Sequence, residues 1–253
     1  MKYSIKSIFE GLITNILWAV GAIASPFVLG YLEIIKSRSI PFLFLIIILI
    51  VIVFFWKRHR FVSITGITKV EHTIAKGTRP TDALMMCNNN FRFLGIAANK
   101  FIYSEEFEKT IKRCNRSGES IKFLLSSPDN PIIKQMARRA KREENDFRNM
   151  IISTLDKLRK LKTEHGYNIE VRLYKSSGDN GPPSFRLFFI DNSIVLVSYY
   201  FMGDGDGSGM PQIIIQRPKN GSDVQNFYFA FDHYFNSLWT NSEEWNFMPP
   251  EGA

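Results

Sequence analysis

The run "PFLFLIIILIVIVFFWKRHR", Pro41 to Arg60, constrains this chain more than any other feature. From Ile40 to Trp56 there are seventeen residues without a charge, and then Lys57, Arg58, His59 and Arg60 follow at once. A helix of that length is at the short end of what spans about 30 Å of hydrocarbon. Pro41 stands at the start, where its missing N–H does no harm. Trp56 and the basic cluster stand where aromatic belts and interfacial charges are found. Any fold for this chain must therefore provide a place for a uniformly apolar helix.

Upstream, "FEGLITNILWAVGAIASPFVLGYLEII" offers a second apolar segment, about Gly11 to Ile35. A signal peptide competes with this reading, because "AIA" before Ser25 resembles a cleavage site, whereas Glu10 and Asn15 spoil an apolar signal core. The sequence thus predicts a transmembrane hairpin over residues 1–60, closed by "KSRS". Lys2, Lys6, Lys57, Arg58 and Arg60 on the outer flanks outnumber Lys36 and Arg38 in the loop. That bias predicts both termini in the cytoplasm and the hairpin in the inner membrane. The first segment carries Gly11, Asn15, Ala19 and Ala22 along roughly one face. Small residues and an amide there suit close helix association, either between the two helices of the hairpin or between copies of the chain.

Charge alone does not identify a partner. The chain of 253 residues carries a formal net charge of +8, but residues 1–60 hold +5 of it. Most of the excess flanks apolar segments and sets topology rather than nucleic-acid affinity. Cys87 and Cys114 form no metal-ligand spacing and no disulfide framework, so they read as buried free thiols. "GDGDGSG" has carboxylates two residues apart but lacks the later Glu of a calcium loop. No metal or other cofactor is expected.

Beyond the basic cluster, strand and helix patterns alternate. "FVSITGITKV" reads as a short strand or linker, "RPTDALMMCNN" as a brief helix and "FRFLGIAANKFI" as a strand. Ser104 is an N-cap, with Glu105 and Glu106 in the first turn and Phe107, Ile111 and Cys114 on one face. "SIKFLLSSPDN" is a strand, and a long helix is predicted from about Pro131 to Lys162 by apolar residues at helical period. Then come "YNIEVRLYK", "SFRLFFID" and "SIVLVSYYFM", the last two joined across Asp191-Asn192. "PQIIIQ" is a further strand and "DVQNFYFAFDHYFNSLW" a closing helix. This order predicts an α/β domain with a mixed sheet over residues 61–245, and a loose tail over 246–253.

Over about residues 80–240 this order resembles the phospholipase D-like superfamily. The resemblance rests on "FRFLGIAANKFI", the following helix and "SIKFLLSSPDN", and on "VRLY…FRLFFIDNSIVLVSYYF". Members of that superfamily place His-x-Lys-x4-Asp on such a strand and a Gly-Ser pair on the next. The equivalent frame here is Ser184-x-Arg186-x4-Asp191, followed by Ser198 and Tyr199. Ser184 stands at the histidine position and Arg186 at the lysine position. The superfamily's chemistry needs a histidine nucleophile, and Ser184 has no neighbouring base to activate it. His59, His72, His165 and His233 all lie elsewhere in the sequence.

The expectation is a phospholipase D-like fold without that catalysis. It could still hold an anion, with Arg172 and Arg186 converging and Ser184 and Ser198 as hydroxyl donors. The alternative is structural pairing of either arginine with Asp191 or Glu170. Lys134, Arg138, Arg139, Lys141 and Arg142 lie largely opposite an apolar stripe. They form either a solvated face or a contact for nucleic acid, anionic lipid or an acidic partner.

An apolar hairpin joined to such a domain also resembles the two-helix membrane effectors of bacterial antiviral defence, including those of retrons and of cyclic-nucleotide signalling systems. That resemblance implies a toxic, membrane-disrupting, abortive-infection effector that self-associates in lipid. Its soluble domain would be restrained or triggered by a reverse transcriptase with nucleic acid or by a nucleotide second messenger. The alternatives are a membrane-tethered phosphodiesterase or phospholipase D-like enzyme, and an inert anchor that recruits partners.

Overall fold

Runs of β-branched and aromatic residues with few polar interruptions, such as "FRFLG", "IKFLLS" and "IVLVSY", set the centre of the fold. Such runs suit strands buried on both faces. In the computed structural model, which describes residues 40–139, 141–176, 183, 185–199, 209–218 and 226–247, they build one mixed sheet. Its strands are β1 (Ile67–Glu71), β2 (Phe91–Gly95), β3 (Ile121–Ser126), β4 (Ile169–Tyr174), β5 (Phe185–Ile190), β6 (Ile194–Tyr199), β7 (Gln212–Gln216) and β8 (Glu243–Glu244). The order across the sheet is β1-β7-β6-β5-β2-β3-β4-β8. β2, β3 and β4 are parallel, and every other pairing is antiparallel. The expected α/β architecture with a mixed sheet is therefore present.

The chain divides at Lys57 into two units, residues 1–57 and 58–253. The helix α1 (Ile40–Thr65) carries the apolar run that opened the sequence analysis. Its side chains from Leu43 to Trp56 are exposed all round, apart from a half-buried Ile47. Among the described residues, no helix is long and apolar enough to cross a membrane. The uncharged part of α1 measures about 25 Å at 1.5 Å per residue, one turn short of a full span. The first apolar segment, with Gly11, Asn15, Ala19 and Ala22, lies outside the described residues. Phe61–Thr65, expected as strand or linker, completes α1. The helix ends at Gly66, whose φ of +75° and N–H bond to the Val62 carbonyl (2.7 Å) make a left-handed cap.

One face of the sheet is covered by α2 (Pro80–Met86), α3 (Asn99–Ile102), α4 (Glu105–Arg116), α5 (Ile133–Arg139) and α6 (Glu144–His165). Phe91, Phe93, Phe101, Phe107, Phe123 and Phe188 meet beneath them, with ring centroids as close as 4.8 Å for Phe93 and Phe188. Tilted and edge-on packing of this kind stabilises beyond area burial. The other face carries α7 (Phe227–Thr240), with Tyr228 and Phe235 packed on Leu94, Leu187 and Phe189. Ser104 caps α4 as expected, its hydroxyl accepting the Phe107 N–H at 3.2 Å.

The long helix expected over Pro131–Lys162 is two helices. Arg142 N–H bonds the Ala137 carbonyl (3.0 Å) and Lys141 N–H the Arg138 carbonyl (3.2 Å), with Lys141 at φ +51°. This is a Schellman closure built on a lysine instead of the usual glycine. A left-handed L-residue costs about 1–2 kcal/mol. Lys141→Gly is therefore expected to stabilise the domain by about 1 kcal/mol, seen as a higher midpoint in thermal unfolding; an unchanged or lower midpoint would show that the lysine side chain offsets the strain.

In the stretch after Trp245, expected to be loose, Phe247 is docked beside an anchored Trp245. Trp245 N–H bonds the Val171 carbonyl at 3.0 Å, the Phe247 carbonyl accepts Arg159 Nε at 3.0 Å, and Lys162 lies 4.2 Å from the centre of the Phe247 ring. Residues 248–253 lie outside the described residues.

Candidate functional site

Side chains alternate along a strand, so a register fixes which residues share a face. Arg186 pairs with Ser198 across β5 and β6, and Ser198 pairs with Gln212 across β6 and β7. These three polar residues form one row on the helix-covered face. They line a small pocket with Ile74, Thr78, Pro80, Phe188 and Leu196. Ser198 and Gln212 are buried and Arg186 is half-buried.

Gln212 holds the wall of that pocket. Its Oε1 accepts the Thr78 N–H (2.9 Å) and its Nε2 donates to the Thr78 carbonyl (3.0 Å). Gly77 allows the approach, since a Cβ there would come within 2.8 Å of Gln212 Oε1 and 2.9 Å of Glu71 Cγ. Neither Gln212 nor the Gly77–Thr78 turn was a sequence candidate. The one available signal is the glutamine that opens "QIIIQ", a strand whose three central residues are apolar.

Arg172 does not join this site. β2 and β3 lie between β5 and β4, which sets Arg172 about 14 Å from Arg186 in strand spacings alone. Arg172 is also on the opposite face, level with Leu124 of the core under α7. Its Nη1 donates to the Trp239 carbonyl (2.8 Å) and the Ser242 carbonyl (3.4 Å), and its guanidinium lies 5.3 Å from the Trp239 ring centre. It is a cation at the C-terminal end of α7, a placement the helix dipole favours. Ser184 lies outside the described residues.

The expected structural pairings take other forms too. Glu170 faces Lys122 at 3.8 Å. Asp191, at the far end of β5, accepts the backbone N–H groups of Asn88 (2.9 Å), Asn89 (2.7 Å) and Asn90 (3.1 Å). Three successive N–H groups converging on one carboxylate form a nest, and here the protein's own side chain fills it.

All four histidines are exposed, and none lines the pocket. Among the described residues, no group of three or more His, Cys, Asp or Glu could hold a metal ion. Arg186 with Ser198 can supply charge-assisted and hydroxyl hydrogen bonds to an oxyanion. The described residues of the pocket supply no activated nucleophile.

The basic cluster is divided by the helix break. Lys134 and Arg138 are exposed on α5, Arg139 belongs to the same helix, and Lys141 and Arg142 are exposed in the turn that follows. Lys134, Arg138 and Arg142 have no ion-pair partner among the described residues.

No protein-family profile and no curated protein matches the chain. Solved structures similar to it include TrmBL2, an archaeal chromatin protein with a novel mode of DNA binding, at 14% identity and TM-score 0.40, over 70% of this chain and 54% of TrmBL2. Phosphatidylserine synthase from Haemophilus influenzae Rd KW20 aligns at 14% identity and TM-score 0.41, over 65% of this chain and 36% of the synthase. NucT from Helicobacter pylori aligns at 11% identity and TM-score 0.38, over 65% of this chain and 87% of NucT. This chain spans about half the length of TrmBL2 and about a third of the synthase.

Proposed function

We propose that this chain is a membrane-acting effector whose α/β domain, of phospholipase D-like fold, serves as the switch rather than as a hydrolase. The observation that carries the reading is α1, with apolar side chains exposed around its whole circumference from Leu43 to Trp56. A helix apolar on every side is buried in a large core or in lipid. Lys57, Arg58 and Arg60 beyond Trp56 have stems long enough to reach the interface from a slightly short span. The hairpin would sit in the inner membrane with both termini cytoplasmic, and copies would associate through the first segment. The Arg186–Ser198 pocket has room for about one water as it stands, so a phosphate-bearing trigger, such as a nucleotide or nucleic acid, would bind there, without turnover, by opening it. In a bacterial antiviral system such a trigger would release the helices to damage the host's own membrane.

The test is growth and membrane potential on induced expression. The full chain is expected to depolarise cells once triggered, and residues 61–253 at equal abundance are not. Growth arrest by the isolated domain would favour the enzyme reading, and so would a phosphodiesterase activity lost in Arg186→Ala. Asn15→Leu is expected to leave insertion intact, because it makes the segment more apolar, yet to reduce depolarisation by removing an amide contact of about 0.6–2 kcal/mol. Ile48→Leu is the matched silent control. Full depolarisation by Asn15→Leu would leave the first segment as an anchor only.

A further inference from the structure

Cys87 closes α2 and Cys114 lies in α4, and both thiols are fully buried in the core on the helix-covered face. Their sulfurs are 3.5 Å apart. Cys87 Sγ also donates to the Asn90 carbonyl (3.0 Å) and lies 3.6 Å from Asp191 Oδ1. Arg113 crosses the same corner, its Nε bonded to the Cys87 carbonyl (3.0 Å) and its Nη2 to the Leu84 carbonyl (2.9 Å). Two thiols, a carboxylate and a guanidinium thus meet where α2, α4 and the β5–β6 turn come together.

We propose that Cys87 and Cys114 are a dithiol that a small hydroperoxide converts reversibly into a disulfide, locking the end of α2 to α4. The two sulfurs differ in a way that orders the steps. Cys87 has its one proton committed to the Asn90 carbonyl and a carboxylate oxygen 3.6 Å away, and both disfavour a thiolate there, whereas Cys114 is next in the chain to the Arg113 cation. Cys114, burial and the Asp191 carboxylate push the Cys87 thiol up. Cys114 is therefore the sulfur that attacks.

Its thiolate displaces hydroxide from the peroxide O–O bond to give a sulfenic acid, and the hydroxide takes up the thiol proton as water. The Cys87 sulfur then attacks the Cys114 sulfur and loses its proton, and the sulfenic hydroxyl leaves as a second water. Two thiols and one peroxide give one disulfide and two waters. Closing 3.5 Å to a bond of about 2.05 Å needs an approach of about 1.5 Å. The step also exchanges the Cys87 bond to Asn90 for the covalent one. Hydrogen peroxide is small enough to enter through side-chain fluctuations that would exclude a peptide disulfide. A reducing cytosol would return the pair to thiols.

The experiment is intact mass of the full-length protein in detergent, with hydrogen peroxide at neutral pH followed by denaturing alkylation. The expected result is a monomer lacking both alkyl adducts and two hydrogens, reversed by dithiothreitol. Cys87→Ser is expected to stop at a sulfenic or sulfinic acid on Cys114, and Cys114→Ser to leave Cys87 fully alkylated over the same time. The proposal is overturned if the unsubstituted protein keeps both thiols alkylated after peroxide that fully oxidises glutathione in the same tube. It is equally overturned if that protein forms only cross-linked dimers, or gains oxygen on one sulfur while the other stays alkylated. The wild-type measurement decides the matter even if a variant fails to fold.

Discussion

Asp191→Ala is expected to lower the stability of the α/β domain by about 3–4 kcal/mol. The carboxylate is the acceptor for three successive backbone N–H groups, at 2.7 to 3.1 Å. Hydrogen bonds to a charged partner contribute about 1.5–3 kcal/mol each, and groups left buried without one cost a similar amount. Asn88 and Asn89 are exposed and can turn to water, whereas Asn90 is buried, so the three losses do not simply add. Asp191 also holds φ +49° beside Asn192 at +49°, the signature of a type I′ turn. Asp tolerates that conformation better than Ala. For a domain of this size the midpoint of thermal unfolding should fall by about 10 °C. Asp191→Asn keeps one oxygen and the turn preference and should lose about half as much. A midpoint within about 2 °C of the parent for the alanine variant would show that the nest contributes little.

Gly66→Ala should have a comparable effect at the join between α1 and the sheet. A Cβ on Gly66 would meet the Gln216 carbonyl oxygen at 2.7 Å and the Asn226 side chain at 2.7 and 2.8 Å. The carbonyl belongs to β7, and the Gln216 N–H of the same residue donates to the Gly66 carbonyl at 2.8 Å, so the two backbones are held together and the oxygen cannot rotate aside as a side chain can. Asn226 is committed as well, its Oδ1 capping α7 through the Tyr228 N–H at 2.7 Å while its Nδ2 is buried without a partner. With the φ of +75° added, the strain is of the order of 2–4 kcal/mol. It should appear locally first, as faster hydrogen exchange over Ile67–Glu71. Asn226→Ser in the same chain should recover part of the loss, because serine caps a helix with a shorter side chain. Unchanged exchange in Gly66→Ala would mean that α1 and β1 are joined more loosely than this geometry implies.

Much of the architecture was legible in local signals. The Ser104 cap, the periodicity around Phe107, Ile111 and Cys114, and the aromatic closing helix each depend on residues within a few positions of one another. Strand runs and the Asp191-Asn192 turn were legible for the same reason. The break before Glu144 was not, because Lys141 takes a left-handed conformation in a stretch with neither glycine nor proline to announce it. Nothing local distinguishes that lysine from its neighbours.

The candidate site was half legible. Composition and spacing by themselves determined a uniformly apolar helix ended by basic residues and an α/β domain after it; that Ser184 and Arg186 stand at a histidine and a lysine position is implied only by the resemblance to a known superfamily. Only the tertiary structure decided which of the polar residues meet. Strand order is fixed by pairings between distant segments, which no window of sequence contains. It put β2 and β3 between Arg172 and Arg186 and turned the two side chains to opposite faces. It brought Gln212 beside Ser198 and turned Asp191 from a presumed ion-pair partner into the occupant of a backbone nest. Side-chain chemistry is written residue by residue, but a site exists only where the long-range register places those residues in one row.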